Sequence, residues 1–253
     1  MPNPKILPQI IILYGPPNAG KGTQSDFLKN LFPDRYHLDF GSELRAFVEK
    51  HIGDMKQEVE TKSPNSQHED IEVARRVKED MLNSNPVDSD DLKYIIESAI
   101  VECAEKQQGM IVEGPGRLVE EAQWLSGFLD SKKVDVCIFH LHLDLKEVLE
   151  RASKRYYVVG INKPFISYED AKKNCSPDTE PYKRSEDKDP IGTTKRYEKM
   201  YAENFALITS IYQLGAKASV FTLDGRKSIL DVSSDILSYF DKFYGTDFTE
   251  NKK

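Results

Sequence analysis

The chain has 253 residues, 39% of them apolar and 30% charged, the balance of a folded protein with room for one substantial core and not of a disordered or fibrous one. A net charge of −7 argues against a general nucleic-acid binder, because a phosphate backbone selects clustered positive charge. The longest apolar runs are about six residues, so no membrane span is expected, and the N-terminal MPNPKILPQ lacks a signal-peptide layout, which leads to the expectation of a cytoplasmic protein.

In chain order, QIIILY (9–14) reads as a buried strand, and GKGTQSDFLKNLF (20–32) as a helix with Phe27, Leu28 and Leu31 inward. YHLDF (36–40) is a short strand, followed by a helical SELRAFVEKH (42–51). GMIVEG (109–114), DVCIFHLHL (135–143) and ASVFTL (218–223) are three more runs of buried-strand type, and runs without strict alternation suit parallel strands covered on both faces. Leu92, Ile95, Ile96, Ala99, Ile100 and Cys103 form one stripe at the helical period, behind Asp88 and Asp91. Asp144 with Glu147 is a capping-box-like opening to a helix carrying Val148, Leu149 and Ala152. Five strands alternating with helices predict a doubly wound α/β sheet, whose ligands sit beyond the carboxyl ends of its strands.

Two stretches fall outside the alternation. Residues 51–70 are strongly polar and contain the loop signal Ser63-Pro64-Asn65-Ser66, while 157–190 contain four prolines and no sustained period. Both read as excursions from the sheet, of the kind that serve as lids or remain disordered. Cys103, Cys137 and Cys175 are too few and too widely spaced for a disulfide framework or a zinc site, and the first two read as core thiols.

The chemistry begins at Gly15-Pro16-Pro17-Asn18-Ala19-Gly20-Lys21-Gly22-Thr23. Glycines let backbone N–H groups turn inward around phosphate oxygens, the following helix adds its positive end, and Lys21 can reach the outer phosphates. A strand before and a helix after are the context this loop needs.

With Gly22 ahead of Thr23, "GKGTQ" resembles the nucleoside monophosphate kinases, above all the adenylate kinases, and the likeness continues in order along nearly the whole chain. "FGSELR" (40–45) is similar to the segment that holds the monophosphate, which implies Arg45 on its phosphate and Phe40 at its base. "VEGPGR" (112–117) implies Glu113 near a magnesium ion, Gly114 beside the acceptor and Arg117 on its phosphate. "ERASKR" (150–155) implies Arg151 by the ATP adenine and Arg155 by the phosphates. "RSED" (184–187) and Arg196 resemble the arginines at the far end of the lid, and "LDGRK" (223–227) a loop whose backbone touches the adenine around Lys227. The family resemblance implies a P-loop three-layer sandwich spanning 1–253, with its core at 9–40, 87–156 and 189–245. A helical monophosphate-binding lobe at 41–86 and a lid at 157–188 complete it.

The residues independently suit that reading, because phosphoryl transfer needs positioning and charge neutralisation more than a covalent nucleophile. Arg151 and Arg155 lie four apart and so share a helix face. The departures gather around the acceptor base. Phe40 stands where the family has Thr, Ser42 where it has Asp, Pro115-Gly116 where it has Phe-Pro, and Glu121 where it has a base-reading Gln, the nearest Gln being Gln123. Asn18 replaces a loop glycine and tolerates a left-handed conformation.

The expected activity is therefore transfer of phosphate from magnesium-ATP to AMP, giving two ADP. The catalytic group is Lys21, Arg117, Arg155, Arg184 and Arg196. ATP is expected on Gly15, Asn18, Ala19, Gly20, Lys21, Gly22, Thr23, Arg151 and Lys227. AMP is expected on Phe40, Arg45, Gly114, Arg117, Gln123, Arg184 and Arg196, with Glu113 and Thr23 near Mg2+ through water. Partners are nucleotides, with no nucleic acid and no membrane, and the resemblance implies a monomer. The alternatives are a kinase for UMP or CMP, and a non-catalytic nucleotide-binding relative that uses the charged 51–70 segment as an interaction surface.

Overall fold

The computed structural model describes residues 7–53, 67–83, 85–106, 108–114, 118–183 and 185–248. The chain runs β1 (Ile10–Tyr14), α1 (Lys21–Leu31), β2 (Tyr36–Asp39), α2 (Phe40–Ile52), α3 (His68–Leu82), α4 (Ser89–Glu105), β3 (Met110–Glu113), α5 (Val119–Ser131), β4 (Val136–His142) and α6 (Leu145–Lys154). It continues with β5 (Tyr156–Val158), β6 (Ile161–Phe165), α7 (Tyr168–Lys173), α8 (Ser185–Lys188), α9 (Pro190–Tyr197), a π-helical turn (Glu198–Ala202), α10 (Phe205–Leu214), β7 (Ser219–Asp224) and α11 (Ile229–Tyr244).

The five strands read from the apolar runs form one sheet in the order β2-β3-β1-β4-β7, and every pairing is parallel. The chain visits β2 and β3 on one side of β1 and then crosses to β4 on the other. The carboxyl end of β1 is therefore the switch point at which such sheets hold ligands. Because side chains alternate along a strand, β1 feeds two cores. Ile10, Ile12 and Tyr14 pack with α2, α3, α4, α5 and α10, while Ile11 and Leu13 pack with Leu28 of α1, Val148 of α6 and Ile236 and Phe240 of α11. That is why the strand is apolar without interruption. Cys103 and Cys137 are buried in these cores. No helix of the described residues is long and apolar enough to cross a membrane.

Local chemistry sets the helix starts. Asp144 caps α6 by accepting from the Glu147 amide at 3.1 Å, and Ser228 caps α11 by accepting from the Asp231 amide at 3.2 Å. Asp39 caps α2 by accepting from the Gly41 amide at 3.0 Å. Helix α2 thus begins at Phe40, which the pattern reading placed at the end of a strand.

Other differences have the same kind of cause. His68, Glu69 and Asp70 belong to α3 and not to the polar excursion, because Gln67 and Asp70 form a capping box there; residues 54–66 lie outside the described set. In α1, Phe27 and Leu31 are only partly covered, whereas Gln24 and Ser25 are buried. Gln24 donates to the Ile229 carbonyl at 3.1 Å and accepts from the Ser233 hydroxyl at 2.9 Å, so polar pairing ties α1 to α11. The 157–190 stretch contains the antiparallel β5–β6 hairpin, joined to Tyr182 by a bridge from Tyr157. Its strands of three and five residues are too short to register as a periodic pattern.

One polar group lies deep in the core that also takes in Tyr14. His140 of β4 is 1% exposed, stacks on Phe205 at 4.0 Å, and has Nε2 2.8 Å from the hydroxyl of Tyr201 in the π-helical turn. Its Nδ1 lies 3.2 Å from the Thr222 hydroxyl, and the same Tyr201 oxygen is 3.0 Å from His142 Nδ1. Burial, then the neighbouring His142 and Lys21, pushes the His140 imidazole down to about 4. An unfolded histidine takes its proton near pH 6.5 and the folded one does not, so stability falls as pH drops from about 6.5 toward 4 and is unaffected above that window. Moving from pH 7 to 5 should cost about 2 kcal/mol through this residue. His140→Gln should remove that part of the slope, as read from urea midpoints at the two pH values.

Candidate active site

The loop between β1 and α1 is shaped by three residues with positive φ: Gly15 at +148°, Asn18 at +63° and Gly20 at +95°. At Gly15 a Cβ would lie 2.4 Å from the Leu141 carbonyl oxygen, so only glycine lets the loop sit against the end of β4. Asn18 takes the left-handed conformation expected of it, at modest cost for that residue type. Ala19 is buried beneath the loop, and Gly20 forms the left-handed entry to α1.

Lys21 arcs back over the loop, its ammonium donating to the Gly15 carbonyl at 2.9 Å and the Pro16 carbonyl at 2.8 Å. At the carboxyl-terminal cap of α6, Arg155 donates to the Asn18 side-chain oxygen, while the Asn18 amide donates to the Val148 carbonyl at 3.3 Å. Arg151, one turn earlier, spans the Asn18 carbonyl at 3.3 Å and the Gly225 carbonyl at 2.5 Å. Arg151 of α6 and Arg155, the extended residue at its carboxyl-terminal cap, therefore both hold the phosphate-type loop, and Arg151 also joins it to the turn after β7. In that turn the Lys227 ammonium pairs with Asp235 of α11 at 2.7 Å, and the Gly225 carbonyl is the group that meets Arg151.

A cleft of about 250 Å³ gathers Asn18, Lys21, Arg45, Arg155 and Arg196, with Asp39 and Asp187 also on its walls. Four cationic side chains face two carboxylates there, a local positive field in an acidic protein. Each of two arginines is oriented by an acid. Arg45 donates to Ser42 at 3.0 Å and lies 3.9 Å from Asp39, and Ser42 donates to Asp39 at 2.6 Å. The acid absent at position 42 is in effect supplied from the helix cap. Arg155 lies 3.8 Å from the buried Asp187 and sits over the Tyr157 ring at 5.3 Å. Asp187 stands within the quoted "RSED", but its contact with Arg155 gives no sequence signal.

Glu113, 8% exposed, ends β3 with one oxygen 2.8 Å from His37 Nε2, and that nitrogen is 2.5 Å from Ser25 of α1. Its other oxygen lies 3.5 Å from where a Gly22 side chain would begin, so the carboxylate abuts the first turn of α1, on which Thr23 is exposed. Oxygens of this type suit magnesium.

Next to the cleft lies a narrow slot lined by Phe40, Leu44, Pro86, Val87, Leu92, Gly114 and Glu121. Gln123 is not part of it. Two residues along a helix turn a side chain about 200°, and Gln123 is exposed while Glu121 is buried. Of the two, only Glu121 lines the slot. Arg117 and Arg184 lie outside the described residues.

A parallel sheet with its glycine-bearing loop at the switch point, a lysine on that loop and arginines converging from an adjoining helix define a P-loop nucleotide kinase fold. No protein-family model matches the chain. It is 29% identical to an adenylate kinase of Kosmotoga olearia over 89% of this chain and 96% of that one, and 25% identical to an adenylate kinase of Chloroherpeton thalassium over 89% and 95%. An adenylate kinase of Rhizobium etli is 26% identical over 92% of this chain and 99% of its own. These likenesses cover most of each chain, and this chain is similar to the adenylate kinases along that length.

Substituting Gly15 by Ala should cost about 1–3 kcal/mol in strain. Gly127→Ala on α5, where a Cβ meets nothing within 4 Å, should instead be neutral or raise the melting temperature slightly. Thermal melts of the two variants check the contrast.

Proposed function

We propose that the protein is an adenylate kinase, moving the γ-phosphoryl group of ATP to AMP and giving two ADP. The observation that carries this reading is the single cleft shared by Lys21, Asn18, Arg45, Arg155 and Arg196, which come from separate parts of the chain. Lys21 and the 15–23 backbone hold the ATP phosphates, while Arg151 and the turn at 225–227 flank its base. Arg45 and Arg117 hold the acceptor phosphate so that its oxygen faces the γ-phosphorus. As that oxygen forms its bond, the β–γ bridging P–O bond breaks and ADP leaves with the electron pair. Arg155, Arg184 and Arg196 offset the charge on the group in flight.

Glu113 and Thr23 are the residues that would hold a magnesium ion through its waters, and the ion would supply charge neutralisation between the β- and γ-phosphates. The 157–188 segment closes over the cleft to keep out water, the competing acceptor. A cytoplasmic, monomeric enzyme is the form in which this reading places it.

Diphosphate formation from magnesium-ATP with AMP tests the reading, with Lys21→Ala as the blank. Arg117→Ala should lower kcat/KM for the acceptor by about 100-fold or more, the scale of losing a charge-stabilising group, while ATP affinity stays within about threefold. Full activity of that variant would remove the acceptor-site assignment, and ATP binding without turnover of any monophosphate would point to the non-catalytic relative.

A further inference from the structure

The helix that brings Arg196 to the cleft is held, just beyond that residue, by a buried polar clamp. Thr193, Arg196 and Met200 line the cleft at helical spacing, while Tyr197 and Tyr201 pack into the cores on either side of the sheet. After Tyr197 the backbone widens into the π-helical turn Glu198–Ala202, where the Glu203 amide donates to the Glu198 carbonyl at 3.0 Å. Single turns of this kind interrupt the α-helical ladder and recur at functional positions.

The turn is tied down by one atom. The Tyr201 hydroxyl lies 2.8 Å from Nε2 of His140 and 3.0 Å from Nδ1 of His142, which share one face of β4. A hydroxyl can donate to one nitrogen while accepting from the other, so two directional bonds fix the turn to that strand. The same strand supports the phosphate-type loop: His140 is in register with Tyr14, the residue before Gly15, and the Tyr14 ring lies 6.2 Å from that of Tyr201. The loop bearing Lys21 and the helix bearing Arg196 therefore share an anchor. Ring packing keeps the turn against the core, and the hydroxyl sets its rotation.

Resting on the proposed kinase activity, we propose that Tyr201 is a positioning residue for phosphoryl transfer: through its hydroxyl on His140 and His142, the π-helical turn sets where Arg196 meets the transferring group. Tyr201 acts through Arg196 and touches no nucleotide.

The test is a double-mutant cycle of Tyr201→Phe and Arg196→Ala, read in kcat and KM with magnesium-ATP and AMP and in the calorimetric Kd for inorganic tripolyphosphate. Tyr201→Phe keeps the ring and should lower kcat about tenfold, the scale of a small displacement of a catalytic group, with KM for AMP within about twofold because Arg45 is untouched. In the Arg196→Ala background the same substitution should change kcat by less than about twofold, since the group it positions is gone. A kcat for Tyr201→Phe within about threefold of wild type, losses that multiply in the double variant, or a KM that rises as kcat falls would overturn the inference and leave the kinase reading intact. If Tyr201→Phe does not fold, His142→Ala at the exposed end of β4 takes its place in the cycle, with the same non-additivity expected. If no monophosphate is turned over, the kinase reading fails separately and the tripolyphosphate Kd decides: a loss in Tyr201→Phe that vanishes in the Arg196→Ala background supports the inference, and independent or absent losses overturn it.

Discussion

The backbone of Gly15 meets the carbonyl of Leu141 so closely that no side chain fits between them, and the site is arranged around that approach. It pins the loop leaving β1 to the end of β4, its neighbour in the sheet. Because α6 follows β4 after only two residues, its arginines are delivered to the same place. Arg151 and Arg155 then close on Asn18, the residue whose left-handed backbone turns the loop. A strand pairing, a missing Cβ and a short connection together set where a phosphate chain would meet its counter-charges.

Charge is distributed with the same economy. The chain is acidic overall, yet lysine and arginine dominate the cleft, and the acids that remain there hold arginines in place. Asp39 is both helix cap and orienting partner to Ser42 and Arg45, and Asp187 lies buried beside Arg155. Such arrangements keep cations aimed before any ligand arrives, which is where electrostatic stabilisation of a transferring group gains over water. The apolar slot with Glu121 adjoins the cleft and shares Leu44 and Val87 with it.

Much of this was legible in the residues. The phosphate-type loop, its lysine and the spacing of Arg151 and Arg155 are short-range signals, and the structure gathers Lys21, Arg45, Arg155 and Arg196 at one cleft. Gln123 is turned to solvent by the two-residue offset along α5, and Glu121 lines the slot. Gln24 and Ser25 were illegible for another reason: a polar side chain reads as exposed unless its distant partners on α11 and β2 are known. The β5–β6 hairpin escaped because three to five residues carry too little pattern.

What the sequence alone determined was the set of local choices: five apolar runs as strands, aspartates and serines as helix caps, and glycines or asparagine where the loop needs positive φ. Each depends on residues within a few positions of one another. Only the tertiary structure decided that β4 lies beside β1, that the turn after β7 supplies a carbonyl to Arg151, and that Asp39 and Asp187 stand against particular arginines. Except for Asp39 with Arg45, those contacts join residues far apart in the chain. Their existence follows from burying both faces of a parallel sheet, a condition no single segment expresses.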